Sequence, residues 1–126
     1  MVVRAEAGFR LGRNPDTVLG PDAAVVGRDQ LRPRQAQLGF LELAPAIVVE
    51  IVPPSDGSTT VSGEVDAYLA GVQVVWVFEP GARAVRVYTR AGPEARLRAE
   101  SGDVLRTESV LPGFEILLTE LFTAIT

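Results

Sequence analysis

The sequence predicts an α+β domain built on one mixed central β-sheet, and three observations carry that. Residues 46–52 form a short, apolar, β-branched run, the pattern of a buried strand rather than a helix. Val61, Val65, Tyr68, Leu69 and Val72 then recur at three- and four-residue spacing, which gives one helix an apolar face. A second near-continuous apolar run, residues 72–78, follows at once. Such a strand–helix–strand unit over residues 45–78 favours a parallel, right-handed crossover. The other connections are of hairpin length, so the remaining strands add antiparallel.

Taken in order, residues 2–11 alternate loosely and read as a strand, and residues 12–16 carry turn chemistry around Asn14 and Pro15. Residues 22–27 read as a second strand. Residues 28–44 are rich in Arg and Gln and read as an exposed connection. Residues 45–52 form the most buried strand by composition, ended by Pro53 and Pro54. Thr59 or Thr60 is placed to cap the helix, and Gly71 to stop it. After the strand with Trp76, Pro80 and Gly81 make a turn. Val85 and Val87 alternate with Arg86 and Tyr88, which predicts a half-exposed strand in a hairpin with its predecessor. Residues 95–100 and 103–107 read as a further ribbon around Ser101 and Gly102. Leu111-Pro112-Gly113-Phe114 is a turn, and residues 117–124 suit a short closing helix. The C-terminal third is thus a β-meander. With one good helix to cover the sheet, one face is expected to stay bare, which predicts a partner subunit, as in a homo-oligomer, or a missing segment.

The 126 residues suffice for one domain, residues 1–126, and 47% hydrophobic content with 12 Gly and 9 Pro suits a folded, strand-rich chain. No repeat, linker or low-complexity tract divides it. The apolar runs are too short to span a bilayer, and no apolar leader opens the sequence, so a cytoplasmic protein with no membrane partner is expected. Cys and His are absent, which excludes disulfides, thiolate catalysis, zinc–thiolate sites and imidazole acid–base chemistry. Lys is absent too; all 12 cations are Arg. Chemistry is left to carboxylates, hydroxyls, Arg, backbone groups or a metal. The net charge of −4 does not suit non-specific attraction to phosphates, so composition gives DNA no support as a partner.

Against that background Glu50 stands out, a carboxylate inside the apolar run Ile47-Val48-Val49-Glu50-Ile51-Val52. Burying an ionised Glu costs several kcal/mol unless a partner offsets it. Without Lys or His, that partner is expected to be an Arg or a metal. A similar arrangement lies upstream, where Asp22 stands at the mouth of the apolar strand Ala23-Ala24-Val25-Val26. Two acids brought together by adjacent strands make a hard, oxygen-rich site suited to Mg²⁺ or Mn²⁺. Each also has a plainer reading: Asp22 as a turn or cap residue, and Glu50 as an edge or Arg-paired residue. Glu64 reads as a solvated helix residue or as a third acid facing the same cleft. Tyr68 and Trp76 read as core, and Arg28, Arg32 and Arg34 as a solvated stretch.

From Pro21 to Phe122 the chain resembles the Uma-two family of bacterial endonucleases in the PD-(D/E)XK nuclease superfamily. The segments that carry the resemblance are Phe9-Arg10-Leu11-Gly12, Pro21-Asp22-Ala23-Ala24-Val25-Val26, and the stretch from Ala44 to Asp56 around Glu50. Tyr68-Leu69-Ala70-Gly71-Val72, Val75-Trp76-Val77-Phe78-Glu79-Pro80, Leu111-Pro112-Gly113-Phe114 and Leu121-Phe122 complete them. The resemblance implies a restriction-endonuclease-like core, with Asp22 and Glu50 as metal ligands and the Ile51 carbonyl as a third. It implies metal-dependent hydrolysis of nucleic-acid phosphodiesters, which a carboxylate-held Mg²⁺ or Mn²⁺ suits as Lewis acid and activator of water.

The chain departs from the family in three places. The superfamily lysine, two residues after the acid, falls at Val52. The lysine that family members carry four residues before the Tyr falls at Glu64, with Gly63 ahead of it. The helix that family members place before the first strand has no counterpart here. These departures support a second expectation beside the nuclease, a catalytically silent member acting as a binding or oligomerisation module. Arg or the metal itself would replace the lysine in the active reading.

Overall fold

The computed structural model describes residues 2–5, 9–12, 17–27, 44–52, 65–90, 92 and 94–125. A six-stranded mixed sheet is its frame. In chain order the strands are β1 (Val2–Ala5), β2 (Phe9–Gly12), β3 (Thr17–Leu19), β4 (Ala23–Val26), β5 (Ile47–Ile51), β6 (Val74–Glu79), β7 (Ala84–Thr89), β8 (Ala95–Arg98), β9 (Val104–Arg106) and β10 (Glu115–Leu117). The central sheet runs β1-β4-β5-β6-β7-β8. β5 and β6 pair in parallel, and every other neighbour in that sheet is antiparallel. Residues 65–69, α1, are helical on the connection between the parallel pair, and α2 (Leu118–Ile125) closes the chain. The expected α+β architecture, its mixed sheet and its strand–helix–strand unit are all present. The predicted helix start at residues 59–64, Glu64 included, lies outside the described residues.

The pleat sorts the apolar residues onto two faces. On one, Val48, Val75 and Val77 pack with Val65, Tyr68 and Val72 from α1 and its end. On the other, Val25, Ile47, Val49, Val74, Trp76, Phe78 and Val85 meet Leu105 of β9 and Leu118 and Phe122 of α2. Strand segments buried on both sides are apolar on both, which is why residues 47–49 and 74–78 show no alternation.

Three expectations are corrected. The sheet face read as bare is covered: α2 and the β9–β10 hairpin fill it, with Phe122 1% exposed and Leu118 fully buried. The helix is only eight residues long, but Leu118, Leu121 and Phe122 recur on one side of it, enough to face a sheet. Residues 2–11 are not one strand. β1 joins the central sheet beside β4, whereas β2 pairs with β3 in a separate ribbon, with a register shift between Arg10 and Gly12. β3 begins five residues after the end of β2, which makes it the nearer partner in sequence. Nor do residues 95–107 form a ribbon on themselves. β8 pairs with β7 and β9 with β10. Between them the chain turns through a 3₁₀ segment (Ala99–Ser101) and Gly102 at φ 72°, while the Arg98 N–H donates to Asp103 Oδ2 at 2.7 Å. That turn carries the chain off the sheet edge and over the second face.

Candidate functional site

The two acids lie on neighbouring strands. β4 and β5 pair antiparallel with Ala23 opposite Val49, Ala24 opposite Val48 and Val25 opposite Ile47. One further step of the same register sets Asp22 opposite Glu50. There the backbone ladder ends and a side chain takes over: the Ile51 N–H donates to Asp22 Oδ2 at 2.8 Å. The buried Pro21 has no N–H to offer a ladder, and it delivers Asp22 to this position. Asp22 is exposed and Glu50 half-buried, so the pair sits at the rim of the sheet rather than within the core.

Glu50 projects onto the α1 face, since it follows Val48 by two residues. Its carboxylate accepts a hydrogen bond from the Tyr68 hydroxyl, Oη to Oε1 2.7 Å. The sequence points to an Arg or a metal as its partner; the Tyr68 phenol on α1 is a partner beyond those two. Tyr68 is 5% exposed and packs in the core, as its spacing implied. Its hydroxyl contact is the element that spacing alone missed. The signal was present in the choice of Tyr over Phe on an otherwise aliphatic helix face, because a buried phenol needs a polar partner.

The register also extends the row across the sheet. Glu50 is level with Val77, Val77 with Arg86, and Arg86 with Arg96. Both arginines turn to Glu79 at the end of β6. Arg86 Nε lies 3.0 Å and Arg96 Nε 3.5 Å from Glu79 Oε1, and Arg86 is also 3.9 Å from Glu94. A hydrogen bond to Tyr88, followed by desolvation in the opposite sense and by Glu79, leaves the Arg86 guanidinium above its usual range and charged throughout the physiological span. These cations lie on the same face as Glu50, two and three strands away from it.

Trp76 is core: its indole N–H donates to the buried Thr107 Oγ1 at 3.1 Å, and its ring stacks with Phe114 and Phe78. Arg28, Arg32, Arg34 and Glu64 lie outside the described residues. Among the described residues, no three His, Cys, Asp or Glu side chains gather as a metal cluster; the carboxylates described at this rim are Asp22 and Glu50. Two clefts, of about 340 and about 270 Å³, lie elsewhere: one beside Arg83, Glu100 and Thr119, the other beside Pro45, Gln73 and Arg90. Among the described residues no helix is long and apolar enough to cross a membrane.

Comparison with known proteins adds family and fold. The sequence model of the Uma2 family, described as "Putative restriction endonuclease", matches residues 1–120. Among solved structures, the chain is similar to a crystal structure titled as "a putative nuclease belonging to DUF820" from Anabaena variabilis ATCC 29413. The two superpose with a TM-score of 0.78 at 20% identity, over 98% of this chain and 69% of the other. That likeness carries the restriction-endonuclease-like fold. No curated protein matches the chain.

Proposed function

The chain belongs to the Uma2 family, whose description is "Putative restriction endonuclease", and from that premise we propose that it is a metal-dependent nuclease whose centre is the Asp22–Glu50 pair. The observation that carries this reading is the 2.8 Å bond from the Ile51 N–H to Asp22, which draws the acid of β4 against the strand that holds Glu50. In an extended strand the N–H and C=O of one residue face the same neighbour. The Ile51 carbonyl therefore faces the Asp22 side, which gives two carboxylates and one carbonyl.

That donor set fits Mg²⁺ or Mn²⁺. Both take hard oxygen ligands, and Mg²⁺ is commonly held by one or two carboxylates, with waters and substrate phosphates completing the shell. Bound there, the cation would supply a Lewis acid for a phosphoryl oxygen and lower the pKa of an attacking water. The protein's own part is to hold Asp22 by the Ile51 N–H and Glu50 by the Tyr68 hydroxyl. It also keeps Arg86 and Arg96 on the same face, where guanidinium forks suit phosphate. DNA or RNA is the substrate class this chemistry serves.

The absence of Lys favours a second reading, since Val52 and Glu64 occupy the positions that the resemblance assigns to the superfamily lysine and the family lysine. In that reading the fold persists as a silent binding module, alone or as a homo-oligomer. Mn²⁺ titration calorimetry on the unmodified chain and on Glu50→Ala decides between them. Binding that Glu50→Ala abolishes supports the nuclease. Absence of binding up to concentrations of about 1 mM, roughly −4 kcal/mol, leaves the silent module.

A further inference from the structure

We propose that Tyr68 is a positioning residue for the acid pair, its hydroxyl holding Glu50 in the orientation that receives a divalent cation. This rests on the metal-site reading above. The Tyr68 ring packs among Val48, Val65, Val72, Val75 and Val77. The Tyr68 carbonyl accepts the N–H groups of Gly71 at 2.9 Å and Val72 at 2.8 Å, which ends the helix on this residue. One residue on, the Leu69 carbonyl accepts Arg90 Nε at 3.1 Å, tying α1 to the end of β7. The phenol is thus anchored at ring, backbone and helix end.

A Glu side chain has three rotatable bonds and loses substantial rotamer freedom when ordered. The half-buried Glu50 stands near a strand end, and the Tyr68 Oη–H to Oε1 contact of 2.7 Å selects the rotamer that meets it. The identity of the donor matters as much as its place. An Arg at this position would also orient Glu50, but it would neutralise the charge that attracts a cation. A phenol orients the carboxylate and leaves its charge in place. Groups that hydrogen-bond a ligating carboxylate in this way typically contribute 10- to 100-fold to metal affinity.

A role confined to packing makes a different prediction, because Phe would fill the same space. The test is Mn²⁺ titration calorimetry on the full chain, on Tyr68→Phe and on Tyr88→Phe. It is accompanied by thermal melts and by three-bond NMR couplings that report the Glu50 side-chain rotamer. Tyr68→Phe is expected to melt cooperatively, to bind Mn²⁺ about 10- to 100-fold more weakly and to show averaged Glu50 couplings, while Tyr88→Phe binds as the parent does. Mn²⁺ affinity in a folded Tyr68→Phe within about threefold of the parent, well short of that range, overturns the proposal. If the parent binds no Mn²⁺, the metal reading fails and the couplings alone judge Tyr68. One rotamer in the parent and averaging in Tyr68→Phe uphold the positioning, whereas averaging in both overturns it.

Discussion

Asp22 and Ile51 are joined across two strands by a bond from backbone to side chain, the Ile51 N–H donating to Asp22 Oδ2 at the point where the β4–β5 ladder stops. The bond gives Asp22 two separable roles, as an acceptor that finishes the ladder and as a negative charge beside Glu50. Asp22→Asn keeps an acceptor and removes the charge, whereas Asp22→Ala removes both. Mn²⁺ binding by calorimetry is expected to be lost in both variants. Denaturant unfolding should show Asp22→Ala less stable by about 0.5–1.5 kcal/mol, with Asn recovering part of that. Because Asp22 is exposed, water can replace the acceptor, so the lower end is favoured. Equal Mn²⁺ affinity in Asp22→Asn and the parent would remove Asp22 from the site.

Activity separates the two functional readings. Divalent-dependent cleavage of DNA or RNA by the parent, abolished in Glu50→Gln, is the outcome the nuclease reading requires. Gln retains the shape and an acceptor for the Tyr68 hydroxyl, so its melting temperature should stay close to the parent's. If the parent is inactive, Glu64→Lys is the informative variant, because it restores a cation at the position the family uses. Activity gained there would identify the parent as a silent member of a nuclease family. Cleavage by the parent that survives Glu50→Gln would place the chemistry elsewhere in the chain or in a contaminant.

What the sequence made legible follows from which forces are local. Glu50 within a β-branched run was visible because an acid there contradicts its surroundings, and Asp22 because it opens the next such run. The parallel β5–β6 pair followed from the helix periodicity between its strands. Register was not legible, since nothing local to residue 22 or 50 states that Ala23 lies opposite Val49. The Tyr68 contact was missed for the same reason: helix spacing shows that the ring faces inward, not which strand position its hydroxyl reaches. The bare face was a misjudgement of area. It counts only one good helix as cover, whereas Leu118 and Phe122 of the closing helix act together with Leu105 of a hairpin that pairs residues as distant as Val104 and Leu117.

The Trp76–Thr107 bond is a test of the second core alone. Thr107 is the buried polar residue of this region, 7% exposed, and it accepts the Trp76 indole N–H. Thr107→Val preserves shape and leaves that donor buried without its acceptor. A loss of about 1–3 kcal/mol is expected, read as a lower urea midpoint with unchanged slope. Mn²⁺ affinity should be untouched, because Trp76 points to the α2 face and Glu50 to the α1 face. A loss of metal binding without unfolding would show that the two faces are coupled.

The covered second face makes its own prediction. Phe122 is buried against the sheet and meets the Phe78 ring edge-on, with centroids 6.5 Å apart. Phe122→Ala removes that ring from a closed layer and is expected to cost about 3–5 kcal/mol. That is a large share of the roughly 5–15 kcal/mol that holds a typical domain together. The helix is short and Phe122 is the largest of its buried anchors beside Leu118, so α2 should detach before the sheet melts, and apolar dye binding should rise ahead of the loss of strand signal. Light scattering then bears on assembly. If the parent is monomeric and Phe122→Ala associates, the apolar face under α2 is what drives pairing when exposed, and the helix acts as its intramolecular cover. If the parent already forms a dimer that Phe122→Ala leaves intact, the contact between copies uses another surface, and the face beneath α2 has no part in it. A Phe122→Ala variant as stable as the parent would mean that α2 does not hold this layer closed.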